Sequence, residues 1–124
     1  MRRLAILLAV LALGACASST RSGLSFKEEM REGVTAATRG YWQEALFRFE
    51  RARAIAPDDA RMLNNLAVAL EALGRYDDAL ATYKKAVSLD PKDTTVKRNY
   101  ARFAEFYTSY AKGVKAKEKK DAGP

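Results

Sequence analysis

The chain of 124 residues has no histidine, a single cysteine and three prolines. Without histidine it lacks the side chain most often used as a general base or a metal ligand near neutral pH. One cysteine cannot close an internal disulfide or build a thiolate cluster, so neither a metal site nor a cofactor site is expected. No nucleophile–base pair takes their place, and the sequence reads as that of a non-enzyme. Its longest apolar run, Leu4 to Leu13, is about half the roughly 20 residues that span a bilayer as a helix. The prolines stand at Pro57, Pro91 and Pro124, which leaves long stretches open to helix.

What is abundant agrees with that. Ala, Leu, Glu, Lys and Arg, all good helix formers, dominate the sequence, and an all-α fold is predicted. The formal charge is +7, falling to +5 without Arg2 and Arg3. Such an excess favours anionic partners, whether lipid headgroups, wall polymers or acidic proteins.

The N-terminus has the form of an address. Met1-Arg2-Arg3 is basic, and the apolar run behind it has the length and flanks of a secretory h-region. Leu13-Gly14-Ala15-Cys16 then resembles the bacterial lipobox, in which small residues fit the peptidase groove and the thiol carries the lipid. The resemblance implies removal of residues 1–15, lipidation of Cys16 with palmitate-type chains, and a flexible tether over residues 16–25. Ala15-Cys16-Ala17 also fits ordinary signal peptidase, which would release a soluble protein. Ala17, in place of aspartate, resembles lipoproteins sent on to the outer membrane, so an envelope location facing the periplasm is expected. An exported protein is not expected to meet nucleic acid.

The body repeats. Residues 26–59 align with residues 60–93 without a gap: Gly40-Tyr41-Trp42-Gln43-Glu44-Ala45-Leu46 lies over Gly74-Arg75-Tyr76-Asp77-Asp78-Ala79-Leu80. Phe49 lies over Tyr83, Ala52 over Ala86, Gly33 over Ala67, and Pro57 over Pro91. Leu63, Leu66, Ala67, Leu70 and Leu73 form one apolar helical stripe, and Ala79, Leu80, Tyr83, Ala86 and Val87 form the facing one. Gly74 is placed to end the first helix of the pair, Asp77 and Asp78 to start the second, and Pro91 to stop it. Ala45 and Ala79 are expected where paired helices cross closely. The period and its letters resemble the tetratricopeptide repeat (TPR). The first copy departs at Glu28, where the second has Met62, and at Ala36, where a larger residue is usual; both departures predict a weaker first helix. Val96, Tyr100, Phe103, Ala104 and Tyr107 share the face of a further helix over 94–115. Helical spacing marks these aromatics as core rather than a cofactor box. Residues 116–124 read as a basic disordered tail. The resemblance implies two helical hairpins and a capping helix, a fragment of a right-handed α-solenoid.

In this family the first helices of successive hairpins line a groove. Carried over residue by residue, that gives Arg61, Asn64, Asn65, Val68 and Glu71 from the second repeat, Arg98, Asn99 and Arg102 from the capping helix, and Lys27, Met30 and Arg31 from the first repeat. Arginine suits carboxylates, and asparagine amides can hold both the donor and the acceptor of a peptide backbone. Arg98 and Arg102, four apart, are expected to act together from one face with Asn65. Of the lysine and asparagine set that clamps chaperone C-termini, only Asn65 has its counterpart, so that activity is not expected. Function is read as a membrane-anchored adaptor that binds a protein segment in pilus, secretion or wall-remodelling assembly, as a monomer or a homo-oligomer. The alternative is a periplasmic binder of anionic polymer or lipid headgroups through the basic face.

Overall fold

The computed structural model describes residues 23–122; the expected export segment, Cys16 and most of the expected tether lie outside the described residues. Five helices follow one another: α1 (Phe26–Thr38), α2 (Trp42–Ile55), α3 (Ala60–Ala72), α4 (Tyr76–Leu89) and α5 (Thr94–Asp121). The 34-residue period is carried into three dimensions, since α1, α3 and α5 begin at residues 26, 60 and 94.

Helix starts are set by side chains that accept orphan amides. Asp59 accepts the N–H of Met62 at 2.7 Å, and Asp93 accepts those of Thr95 and Val96 at 2.9 and 3.1 Å. These bonds hold the Asp93 carboxyl below the usual carboxylate range, the Val96 amide contributing most. At α1 the departure at Glu28 has the opposite effect from the one expected. Its carboxylate accepts from the Ser25 backbone while the Ser25 hydroxyl accepts from the Glu28 amide, a reciprocal box that secures the helix start. The backbone bond from Ser25 is also the main reason the Glu28 carboxyl is held low.

Helix ends follow from glycine and proline. Gly40 and Gly74 have φ of 77° and 74°, a conformation strained for any residue with a Cβ. The turn is closed by Tyr41 N–H to Ala36 and Gly40 N–H to Ala37, and again by Arg75 to Leu70 and Gly74 to Glu71. α2 and α4 stop at Ile55 and Leu89, two residues before Pro57 and Pro91, as the restriction on the residue preceding proline requires.

Ala45, Ala52, Leu66, Ala67, Ala79, Tyr83, Ala86 and Phe103 are fully enclosed, with Phe49, Leu63, Leu70 and Val96 nearly so. Leu73, Leu80 and Val87 from the expected stripes are only partly buried, at the edges of the packed faces. The first hairpin contains a departure the apolar pattern does not show. Glu29, which takes the place of Leu63 in the repeat, is completely buried. Its carboxylate accepts from Arg51 Nε at 2.5 Å and from Arg48 at 3.4 Å, so α1 is pinned to α2 by charge at this point.

α3 and α5 run in the same sense, because Arg61 meets Asp93, Asn64 meets Asn99 and Glu71 meets Arg102 in succession. α4 runs against α5: Tyr83 packs on Phe103 and Tyr76 on Tyr110, with ring centroids 5.3 and 4.8 Å apart. Val96 and Phe103 are the buried anchors of α5, and Tyr100, Ala104 and Tyr107 are half-buried beside them. The helix does not end near Lys115. It continues to Asp121, because Lys, Ala and Glu are strong helix formers and the single interior glycine, Gly113, costs only about 1 kcal/mol. No helix among the described residues is long and apolar enough to cross a membrane.

Candidate binding groove

Three adjoining cavities run along the side of the protein on which α1, α3 and α5 lie. The middle one, about 340 Å³, is lined by Val34, Ala37, Thr38 and Trp42 on one side and by Asn64, Asn65, Val68, Thr95 and Asn99 on the other. Towards the start of α5, a cavity of about 530 Å³ takes in Arg61, Asn64, Asn65, Lys92 and Thr95. At the far end, one of about 370 Å³ is lined by Trp42, Val68, Glu71, Tyr76, Arg102 and Phe106. Asn64 and Asn65 join the first pair of cavities, and Val68 and Trp42 join the second, so the three form one trough.

The expected groove residues fall into distinct roles. Asn65, Val68 and Asn99 are half-buried and line the middle of the trough. Asn64 is only 6% exposed and is not free to meet a partner. Its Oδ1 accepts from Asn99 Nδ2 at 3.0 Å and its Nδ2 donates to Asn65 Oδ1 at 3.3 Å. Asn64 is therefore a relay that fixes the two outer amides, because a buried amide left without partners would cost about 1–3 kcal/mol. Arg98 lines none of these cavities and is exposed. It is the repeat counterpart of Asn64, but no further first-type helix follows α5 among the described residues for it to turn towards.

The two remaining arginines are already paired. Arg61 Nε stands 3.4 Å from Asp93, and Arg102 donates to Glu71 at 3.1 Å. Glu71 also accepts from the buried Tyr83 hydroxyl at 3.0 Å, and burial beside that carboxylate pushes the Tyr83 phenol upward. A carboxylate arriving at either arginine would compete with one already there. The expected joint action of Arg98 and Arg102 is thus not what the geometry offers. Lys27 is exposed, Arg31 pairs with Glu32 at 3.1 Å and Met30 packs against the core, so none of the three lines the trough.

The apolar wall was missed in the sequence, although the repeat contains the signal. Val34 is the counterpart of Val68 one period earlier, and Trp42 the counterpart of Tyr76. Trp42 and Tyr76 open the second helices, so a search confined to first helices passes over them. The trough thus offers an apolar slot between Val34, Trp42 and Val68 beside two oriented amides. That arrangement has the shape and the donor and acceptor groups to receive one apolar side chain and an adjoining stretch of backbone; among the described residues no group of acidic or thiol ligands assembles to hold a metal.

Residues 30–94 match the tetratricopeptide repeat family. The chain belongs to that family. Over 86 residues, 69% of this TPR chain, it is 35% identical to the inactive TPR repeat-containing thioredoxin TTL3 of Arabidopsis thaliana, and it spans 12% of that protein's length. Among solved structures it is similar to the TPR2B domain of yeast Sti1 in its complex with pHsp70, with a TM-score of 0.64 and 28% identity over 73% of this chain and 72% of that one. A mutant of MamA has a TM-score of 0.61 at 23% identity over 82% of this chain and 74% of that one, a likeness of fold.

Proposed function

We propose that this TPR protein is a lipid-anchored adaptor of the bacterial cell envelope that holds an extended segment of a partner protein in the trough between α1, α3 and α5. The observation that carries the reading is the apolar slot of Val34, Trp42 and Val68 set beside Asn65 and Asn99. The buried Asn64 amide holds Asn65 and Asn99 in fixed orientations, which suits a site that reads a peptide backbone. The yeast Sti1 domain, solved in complex with pHsp70, supports the same mode of use. The partner segment fitted here carries an apolar side chain for the slot and depends little on carboxylates, since Arg61 and Arg102 are engaged.

The anchor part of the proposal is supported by the order of Arg2-Arg3, the apolar run and Leu13-Gly14-Ala15-Cys16. A tether of about ten residues has a coil length near 15–18 Å, which keeps the trough close to the bilayer. Assembly of pili, secretion channels or wall-remodelling enzymes would need such an adaptor.

Photo-crosslinking tests the binding mode. A crosslinker placed at Val34 in membrane-bound protein should capture a discrete partner, and Asn65→Ala with Asn99→Ala should abolish the adduct when assayed well below the variant's own melting transition, since the change also strips the buried Asn64 amide of its partners at about 1–3 kcal/mol. Capture that persists unchanged in the double variant would refute the groove. Trp42 is the sole tryptophan, so its emission reports binding of the captured segment directly.

A further inference from the structure

The last eleven residues of α5 have no counterpart in the packing of the rest of the molecule. Tyr76 is the first residue of α4, and its ring meets Phe106 and Tyr110 edge-on at 5.0 and 4.8 Å. Since α4 runs against α5, and α3 has already ended at Ala72, no other helix among the described residues lies beside α5 beyond Tyr110. At a rise of 1.5 Å per residue, the helix projects about 16 Å past the body.

The C-terminal half of α5 has two chemical characters. Phe106, Tyr110 and Val114 are spaced by four, so they form one line, and they are 44, 41 and 37% exposed. Lys112, Lys115, Lys117, Lys119 and Lys120 surround that line, are all exposed, and make no ion pair among the described residues. Lys117 falls close to the line of the stripe just beyond Val114 and Glu118 falls on it; five lysines against Glu118 and Asp121 leave the tip with an excess of three positive charges spread around the helix. Helix-in-groove recognition by a protein uses apolar anchors at i, i+3, i+4 and i+7, which a line that ends at Val114 does not supply beyond the packed body. A short stripe ending in a ring of lysines fits a plane of negative charge over an apolar layer, with the lysine stems reaching up from it and the tyrosine at the boundary.

We infer that the distal end of α5, from Tyr110 to Asp121, is a docking element for the surface of an anionic phospholipid bilayer. Tyr110 and Val114 enter the headgroup boundary, and the lysines neutralise lipid charge around them. This contact is separate from the trough and from Cys16. It gives the domain a second point of attachment, which would lay α5 along the bilayer with the first-helix side held in a fixed orientation.

The test uses the full chain with Cys16→Ser, so that no acyl chain contributes, and vesicles of either phosphatidylcholine alone or an equal mixture with phosphatidylglycerol. Neutral vesicles measure what the apolar N-terminal run contributes in every variant. Val114→Cys, now the sole thiol, carries an environment-sensitive fluorophore. Its emission should shift to the blue on the anionic vesicles and stay unshifted on the neutral ones. Lys115→Gln, Lys117→Gln and Lys120→Gln together, which preserve helix propensity, should weaken anionic-vesicle binding about 100-fold at low salt, at about fivefold per surface lysine. The Asn65→Ala variant should bind vesicles like the parent, which keeps failure here distinct from failure of the groove. An unshifted label on anionic vesicles, or a triple variant that binds them as the parent does, overturns the inference. So does full competition by polyglutamate at equal charge, which would assign the tip to an acidic protein.

Discussion

Replacing Glu29 separates the energetics of the first hairpin from those of the second. The carboxylate is wholly buried and takes bonds from Arg51 at 2.5 Å and Arg48 at 3.4 Å, whereas the same place in the second repeat holds Leu63, 2% exposed. Removing one member of a fully buried pair costs about 3–5 kcal/mol. Here the arginine side chains are 27 and 45% exposed, and Arg48 keeps Glu44 at 2.6 Å, so both guanidiniums can be rehydrated or re-paired. Glu29→Gln should therefore cost roughly 1–2 kcal/mol, below the full loss of a charge-assisted bond with its desolvation. Glu29→Ala also leaves a void and should cost about 2–4 kcal/mol. Glu29→Leu loses the same bonds, but burying the side chain restores about 1.5–3 kcal/mol, so it should lie within about 1 kcal/mol of the parent. Urea midpoints followed by far-ultraviolet circular dichroism give the ranking, and in a domain of this size 1 kcal/mol moves the melting temperature by about 4–8 °C. If the leucine and alanine variants prove equally destabilised, the site is held by charge alone and burial does not offset its loss.

Ala79→Leu should cost about 1–3 kcal/mol in thermal melts, since Ala79 is fully enclosed where α3 and α4 cross, while truncation after Lys115 should leave the melting temperature nearly unchanged. Gly33→Ala should destabilise despite the better helix propensity of alanine, because the new Cβ would stand 2.5 Å from the enclosed Phe49 ring; a rise in melting temperature would contradict the packing. Glu28 and Asp93 both have carboxyls held below their ordinary values of 4.5 and 3.8, so their stabilising effect is present above those values and is lost as pH falls through the lower folded ones. An acid titration of helicity should show the starts of α1 and α5 loosening only as pH falls below 4.5 and 3.8 respectively, and Asp93→Asn should flatten the α5 part of that change. Cys16→Ser should move the protein from the detergent phase to the aqueous phase; a wild type already aqueous, beginning at Ala17 or Ser18, would refute the anchor.

The period was legible because each device that recurs along it is local. Gly40 and Gly74 supply a left-handed turn, Pro57 and Pro91 a stop, and Ala45 and Ala79 a close crossing, each recognisable from its own residue and neighbours. What was not legible depends on pairings out of step with the period. Asn65 aligns with Asn99 and Asn64 with Arg98, but the bond that forms joins Asn64 to Asn99, 35 residues apart. A first helix contacts the next one through residues turned towards it, and the last one has no successor among the described residues. The same letter position is therefore buried in α3 and exposed in α5. Glu28 and Glu29 show the same limit at shorter range: adjacent glutamates, one closing a cap in solvent and one buried under two arginines, are told apart only by what α2 brings against them.

That asymmetry bears on how the trough discriminates. Every arginine expected to attract an acidic partner either faces a carboxylate of the chain itself at the surface, as Arg61 and Arg102 do, or lies outside the cavities, as Arg98 does. The lysines of the α5 tip, in contrast, have no acidic partners among the described residues. The α5 tip thus holds the densest cluster of unpaired lysines among the described residues, whereas the trough, with Lys92 at its edge, reads mainly shape and backbone through Val34, Trp42, Val68, Asn65 and Asn99. The two surfaces should therefore answer differently to salt. Raising ionic strength from 0.01 to 1 M shortens the screening length from about 30 to 3 Å, which should release the tip from anionic vesicles while leaving capture at Val34 nearly constant. Parallel loss of both with salt would mean that the trough also works by charge, and that Glu71 and Asp93 yield their arginines to the partner.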